Sequence, residues 1–343
     1  MTGTLARQTS TDSERRTREE MRRKMQVATV DMSAKGAKDD FNRSLQETGF
    51  AVLVNHGVDR KQIEGVYDEW RSFMMSLDEK VKAEGGHNCI SEYIRSTDVF
   101  DGYFPMDLAE TAKSADVKDI KHYYHLYFPH GRYPKEVSDE ARNLFDFLYA
   151  LGLKLCEWID QGLSPETKQR LKKQGMDSLV ECVSRSDTLL RILHYPTYDD
   201  DKVEPGAVRA AAHEDINFIT LLPVGSSRGL QLFGKEEQQW FDVPFEPESI
   251  IVNIGDMLQA LTDGALKSTT HRVVKAADEP AGQDRMSSPV FVHAKPEVFL
   301  NDTVGTAREY LIQRLTELAK NSASSKPTTS PLASPAKNGE PAA

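Results

Sequence analysis

Cysteine is scarce in this chain: three in 343 residues, Cys89, Cys156 and Cys182, odd in number and widely spaced. That pattern leaves no disulfide framework and no Cys-x-x-Cys metal or redox motif, and it fits a reducing cytoplasm. Long hydrophobic runs are missing too. No window approaches the roughly eighteen apolar residues of a membrane span, and the N-terminus has no apolar signal stretch, so neither membrane insertion nor secretion is expected. Positive charge is in deficit, with 53 acidic residues against 43 basic ones and a net charge of −10. A nucleic-acid footprint usually shows as a positive face, so no nucleic-acid partner is expected and a small molecule is the preferred one. No internal repeat is visible, and no feature specifies an oligomeric state.

Both ends lack core residues. Residues 1–25 are polar and charged on all sides and read as a frayed helix or tail. Residues 321–343 combine Ser, Pro, Ala and Gly, cannot bury enough apolar area to offset their ordering entropy, and read as disordered. What lies between changes character once. An N-terminal region, 26–135, and a helical support, 136–187, carry apolar residues at helical spacing, as in Ile63, Val66, Tyr67, Trp70, Phe73, Met74 and Leu77. Within the first, "GFAVLVNHG" reads as a short buried strand closed by an Asn-His-Gly turn. From 188 to 305 the pattern becomes short β runs: "LLRILHY", "NFITLLPV", "GLQLF", "WFDVP", "SIIVNI", "THRVVK", "SPVFVHA" and "EVFL". Gly, Pro, Asp and Ser separate them, which means a sandwich or barrel. A C-terminal helix over 306–320 completes the ordered part.

The chemistry concentrates in "AAHEDINFITLL". A strand has a side-chain period of two, so His213 and Asp215 leave from one face while Glu214 leaves from the other. His271, 56 positions beyond Asp215 in "STTHRVV", supplies a third donor from another strand. Two imidazoles and a carboxylate make the facial triad of non-heme Fe(II) oxygenases, although zinc or manganese would accept the same donors. A second pair, Arg285 and Ser287 in "DRMSSPVFVHA", also shares one strand face. A guanidinium fork and a hydroxyl aimed into a barrel suit a buried carboxylate, which would otherwise be costly. The alternative for Arg285 is a structural ion pair with Asp256. Gly255 and Asp256 read as a tight turn, and His56 and His194 as structural histidines.

With these motifs on the page, the chain from about Val27 to Leu300 resembles the isopenicillin N synthase-like branch of the Fe(II)/2-oxoglutarate-dependent oxygenases. The segments that carry the resemblance are "FNRSLQETGFAVLVNHGV", "RILHYP", "HEDINFITLL", "GLQLF", "VNIGDMLQALTDGALKSTTHRVV" and the Arg-x-Ser of "RMS". It implies an α+β, mainly β, fold: a double-stranded β-helix (jelly roll) with a helical N-terminal region packed on it. It further implies that His213, Asp215 and His271 ligate Fe(II), that Arg285 and Ser287 hold the far carboxylate of 2-oxoglutarate, and that Tyr195 assists them. The enzyme would consume O2, with ascorbate as a candidate reductant, and oxidise an unactivated C–H bond of a small molecule in specialised metabolism. Hydroxylation is the default, and desaturation or cyclisation use the same parts. Two departures, Leu193 in place of a common asparagine and "ALTDG" in place of an aromatic-Ser/Thr-Asn-Gly run, bear on substrate shape. Retention of Asp215 argues against a halogenase. A 2-oxoglutarate-independent oxidase and a catalytically silent metal-binding jelly roll are the alternatives.

The segment "DVKDIKHYYHLYFPHGRYP", 116–134, is dense in aromatic and basic residues and stands before the β half. It reads either as a solvated connection or as a substrate lid. In the second case Lys121, Tyr123, His125 and Arg132 would contact a polar or anionic substrate. His293, on the run after the Arg-x-Ser, could face it as well.

Overall fold

The computed structural model describes residues 26–94, 100–106, 119–197, 209–276 and 282–324. The chain opens with strand β1 (Thr29–Asp31), helix α1 (Ala37–Thr48), β2 (Phe50–Val54) and the long α2 (Arg60–Glu84), followed by β3 (Gly102–Phe104) and β4 (His122–Tyr127). Then come α3 (Glu140–Gly162), α4 (Pro165–Lys173), the single turn α5 (Leu179–Cys182) and the longest strand, β5 (Val183–Tyr195). The β-rich half runs through β6 (Ala210–His213), β7 (Ile219–Pro223), β8 (Leu230–Gly234), β9 (Gln239–Asp242) and β10 (Ile250–Ile254). It continues with α6 (Asp256–Leu261), β11 (His271–Val273), β12 (Arg285–Ser287), β13 (Val290–Ala294), β14 (Phe299–Asn301) and β15 (Gly305–Thr306), and α7 (Ala307–Ser324) closes it. The expected tail at 1–25 and the part of the C-terminal tail from 325 onward lie outside the described residues; residues 321–324 belong to α7.

Among the described residues the strands form a nine-stranded sheet in the order β1-β2-β10-β7-β13-β5-β4-β3, with β12 also on β5, and a four-stranded sheet β6-β11-β8-β9. Every β run expected from sequence contains a strand. The period of two explains how the large sheet serves two environments. Ala51 and Leu53, Ile219 and Leu221, Ile250 and Val252, Val290 and Val292 point to one side, into the core shared with the helices. The apolar stripe of α2, Ile63 through Leu77, packs on that side as its spacing demands. From the same strands Phe50, Val52 and Ile251 point the other way and join Leu230, Leu232 and Val273 of the small sheet in a second core. The two sheets are therefore packed against each other at the β2-β10-β7 end.

Local signals set the element ends. Asp59 caps α2, its Oδ1 accepting the Lys61 N–H at 2.9 Å, and Ser164 caps α4 by accepting the Thr167 N–H at 3.1 Å. Gly49 ends α1 at φ 74°, where a Cβ would stand 2.5 Å from the Lys267 carbonyl; only glycine fits both conditions.

Three expectations need correction. The segment read as a connection or lid is built into the large sheet. Residues 122–127 form β4, paired along its length with β5 and on its other edge with β3. Both faces of β4 are covered, so its sequence shows no apolar/polar alternation and mimics an irregular aromatic loop; residues 116–118 lie outside the described part. Gly255 and Asp256 do not form an isolated tight turn either: Gly255, at φ −101°, is the N-cap of α6, which Asp256 begins. Glycine is needed there because a Cβ would fall 2.1 Å from the Asn217 carbonyl. The β half also begins earlier than expected, β5 starting at Val183 rather than Thr188.

Candidate active site

His213 ends β6 and His271 begins β11, and the two are direct cross-strand partners in the small sheet. Asp215 follows two residues after β6 and turns toward the large sheet. There its Oδ2 accepts the Thr220 hydroxyl of β7 at 2.6 Å and the Asn253 amide of β10 at 2.8 Å. This arrangement leaves Oδ1 to face both histidines, 3.8 Å from each Nε2. That is too far for a hydrogen bond and close enough for one ion to touch all three. His213, Asp215 and His271 form the one such donor cluster among the described residues, with all three ligand atoms within 4.8 Å of one another.

The residues around the triad prepare it for a metal. His213 Nδ1 lies 2.7 Å from the Ala211 carbonyl and His271 Nδ1 3.1 Å from the Thr269 carbonyl. A carbonyl can only accept, so both Nδ1 atoms carry the proton and both Nε2 lone pairs point to the centre. Enclosure, then the neighbouring His271, pushes His213 down to about 4, keeping it in the neutral, ligating form. Burial works to raise Asp215, but the two imidazoles and the Asn253 and Thr220 hydrogen bonds outweigh it and hold the carboxyl below its usual range. Two fixed-tautomer imidazoles and an ionised carboxylate with one oxygen tied back suit a divalent first-row ion such as Fe(II). The Asp256 N–H donates to the Asp215 carbonyl at 2.7 Å, so α6 braces the ligand loop.

Arg285 and Ser287 of β12 pair with Tyr195 and Leu193 of β5, which places all four on the face of the sheet opposite the helices. The Arg285 guanidinium lies 5.1 Å from the Tyr195 ring centroid and its Nε donates to the Ser227 carbonyl at 3.3 Å. Arg285, Ser287 and Tyr195 are all buried. The alternative pairing of Arg285 with Asp256 does not occur. Asp256 instead accepts the Tyr310 hydroxyl at 2.8 Å and lies 3.6 Å from Arg314, both on α7.

A cavity of about 900 Å³ opens from His213 and Asp215, along β4, β5 and β13, to the inner face of α7. Of the residues put forward for substrate, Lys121, His125 and His293 line it. Lys121 is buried and donates to Asp119 Oδ2 at 2.7 Å; burial opposes its charge, but Asp119 and Tyr195 outweigh that and hold the ammonium above the ordinary lysine value. His125 donates from Nδ1 to the Phe100 carbonyl at 2.8 Å and accepts the Arg191 Nε–H at 2.7 Å; burial, then Arg191, holds it well below the usual histidine range. Tyr123 does not reach the cavity and stacks on Phe104 at 4.7 Å. Arg132 turns away from it, bound to Asp101 and to the Ile94 carbonyl. His56 holds the Glu248 carbonyl, a structural task.

Sequence reasoning missed Arg191, Thr220 and Asn253. Arg191 shares a strand face with Leu193 and Tyr195, two residues apart along β5, and its guanidinium lies over the rings of Tyr123 and Phe291 at 4.7 and 5.3 Å. The signal was available: Arg191 interrupts "LLRILHY", and Asn253 interrupts "SIIVNI".

Comparison with known proteins agrees with this geometry. Residues 186–294 match the 2OG-Fe(II) oxygenase superfamily, and residues 27–145 match the non-haem dioxygenase in morphine synthesis N-terminal family. A putative oxygenase from Shewanella oneidensis is 38% identical, with a TM-score of 0.72 over 86% of this chain and 99% of that one. A putative 2OG-Fe(II) oxygenase family protein from Caulobacter crescentus is 28% identical, with a TM-score of 0.66 over 85% of this chain and 98% of that one. A bi-functional coumaroyl CoA and feruloyl CoA ortho-hydroxylase of Ipomoea batatas is 28% identical over 268 residues, 78% of this chain and 68% of the relative.

Proposed function

Because this chain belongs to the 2OG-Fe(II) oxygenase superfamily, we propose that it couples the oxidative decarboxylation of 2-oxoglutarate to hydroxylation of an unactivated C–H bond in a small organic anion. The observation that carries the reading is the triad: three donors from β6, the loop after it and β11, tautomers fixed, converging on one point beside a cavity. His213, Asp215 and His271 would hold Fe(II). Bound there, the metal would supply oxygen activation with 2-oxoglutarate as co-reductant. Arg285 and Ser287 are the clamp for the far carboxylate of 2-oxoglutarate, with Tyr195 fixing the guanidinium plane. The two packed sheets belong, in this reading, to the double-stranded β-helix of the family, with the helical N-terminal region on its outer face. No helix among the described residues is long and apolar enough to cross a membrane, and the three free thiols suit a reducing cytoplasm.

The anion follows from what the cavity offers. Arg191 lines the cavity, held against the rings of Tyr123 and Phe291 and by the His125 imidazole, and Phe291, Leu189 and Leu311 give an apolar body room beside it. A substrate carboxylate on Arg191 would hold the molecule by one end while leaving a C–H bond toward the triad, and the inner side of α7 would keep water out.

The test is a screen of apolar carboxylates for substrate-stimulated succinate release, with oxygen uptake followed in parallel. One succinate per oxygen is expected; substrate oxidation without succinate would assign the 2-oxoglutarate-independent oxidase chemistry instead. Arg191→Ala is expected to raise the substrate KM about 10- to 100-fold, the loss of one charge-assisted contact, and to leave the 2-oxoglutarate KM unchanged. Equal KM values for the acid and its methyl ester in the parent enzyme would remove the anionic anchor.

A further inference from the structure

On the face of the large sheet turned toward the helices, away from the cavity, a line of buried polar side chains runs from α2 to the residue before β12. Asp78 Oδ1 accepts the Tyr103 hydroxyl at 2.5 Å, and Tyr103 Oη lies 2.5 Å from His122 Nδ1. His122 Nε2 lies 2.6 Å from His194 Nδ1, and His194 Nε2 lies 2.8 Å from Asp284 Oδ2. Arg71 of α2 donates its Nε to that same Asp284 oxygen at 2.8 Å. Tyr103, His122 and His194 are almost wholly buried. Asp284 immediately precedes Arg285, and Met286 is the cross-strand partner of His194.

Proton counting makes this line unusual. Four links join Asp78, Tyr103, His122, His194 and Asp284, and each needs one hydrogen, because two lone pairs facing each other at under 3 Å repel. With both carboxylates ionised, a phenol and two neutral imidazoles supply only three. We propose that the relay holds a fourth proton at neutral pH, resident on His194, and that His194 and Asp284 are positioning residues that hold β12 so that Arg285 and Ser287 face 2-oxoglutarate. In this state His194 donates from both ring nitrogens, to His122 Nε2 and to Asp284. His122 in turn donates from Nδ1 to Tyr103, which donates to Asp78, so no donor or acceptor in the line is left over.

Two of the three other sites are disfavoured by their surroundings, and a proton on Asp78 would leave His194 neutral, which the spectra below distinguish. Burial, then His194 and Lys82, pushes His122 down to about 3, so the proton is not there. The hydrogen bond from His194 is the first cause holding Asp284 below the usual carboxylate range, with Arg71 adding to it, so the proton is not on Asp284. Among the described residues, the charged groups around the line include Asp78, Lys82 and Arg71 from α2, with Asp68 beyond Arg71, and Asp284 itself. The contribution is present while the proton stays on and is lost as rising pH strips it, since one link then has two acceptors and no hydrogen. Removing it loosens the joint between α2 and the start of β12, and with it the clamp.

The experiment has two arms on the full chain. In the first, nitrogen-15 histidine spectra are recorded at pH 8, where exposed imidazoles are neutral. One imidazolium with both ring nitrogens protonated is expected, and it should vanish in His194→Gln. In the second, 2-oxoglutarate binding is measured by calorimetry with Mn(II) replacing iron, without oxygen. Affinity should fall as the imidazolium titrates away at higher pH. Asp284→Asn should weaken binding about tenfold and flatten that pH dependence, with kcat at saturating 2-oxoglutarate unchanged. His122→Gln offers the same reading should Asp284→Asn not fold. Only neutral imidazole for His194 at pH 8, or a variant with parental affinity at every pH, would overturn the proposal. The second arm rests on Arg285 being the clamp, which Arg285→Gln tests separately; the first arm does not.

Discussion

His213→Ala, Asp215→Ala and His271→Ala are each expected to abolish turnover and leave a folded chain. The ligands stand at the mouth between two sheets, while the apolar clusters that carry stability lie behind them on either side of the large sheet. The loss of metal affinity should exceed the roughly 10- to 100-fold that follows removal of an outer hydrogen-bond partner. Thr220→Val and Asn253→Leu supply that milder reference, because each removes one donor to Asp215 Oδ2 and leaves Oδ1 in place. Metal titration monitored by Mn(II) resonance, with circular dichroism on the same samples, gives the order. Near-parental activity in any of the three alanine variants would sink the triad, and metal affinity as low in Thr220→Val as in Asp215→Ala would mean that the carboxylate is held rather than ligating.

The second large effect is on the cosubstrate. Arg285→Gln should raise the 2-oxoglutarate KM about 10²-fold, since losing a charged, hydrogen-bonded partner in a desolvated site costs about 3 kcal/mol. Metal affinity should barely move, because Arg285 reaches β5 and the Ser227 carbonyl rather than any of the three ligands. Arg285→Lys keeps the charge and loses the fork, so it should recover only part of the affinity. Steady-state kinetics with 2-oxoglutarate as the varied substrate decide it. A collapse of metal binding with an unchanged 2-oxoglutarate KM would make the arginine a structural residue of β12.

What was legible in the sequence was whatever depends on short-range periodicity. Arg285 and Ser287 are two residues apart, and a strand puts such a pair on one face wherever it lies in the fold; His213 and Asp215 have the same spacing, but β6 ends at His213 and the loop after it turns Asp215 toward the shared centre. The stripe of α2 and the succession of short β runs follow from the same rule, and together these motifs carried the family resemblance. The lid reading failed for a related reason: "HYYHLY" is covered on both faces, so its aromatic and histidine residues alternate between the helix-side core and the buried opposite face with no polar face to announce a strand. Lys121, Tyr123, His125 and Arg132 therefore looked like one set.

By itself the sequence determined the donor types, the shared face of Arg285 and Ser287, and the separation of a helical half from a β half. The tertiary structure decided which long-range partners met. The register of β6 on β11 brings His271 opposite His213. The packing of the small sheet on β7 and β10 gives Asp215 its Thr220 and Asn253 donors. The pairing of β4 with β5 sets His122 beside His194 and turns Arg191 toward His125. Those contacts join residues as many as 72 positions apart. Local side-chain periodicity fixes only the face from which each residue leaves its strand; its neighbour across the sheet is chosen by register, which the burial of both cores selects.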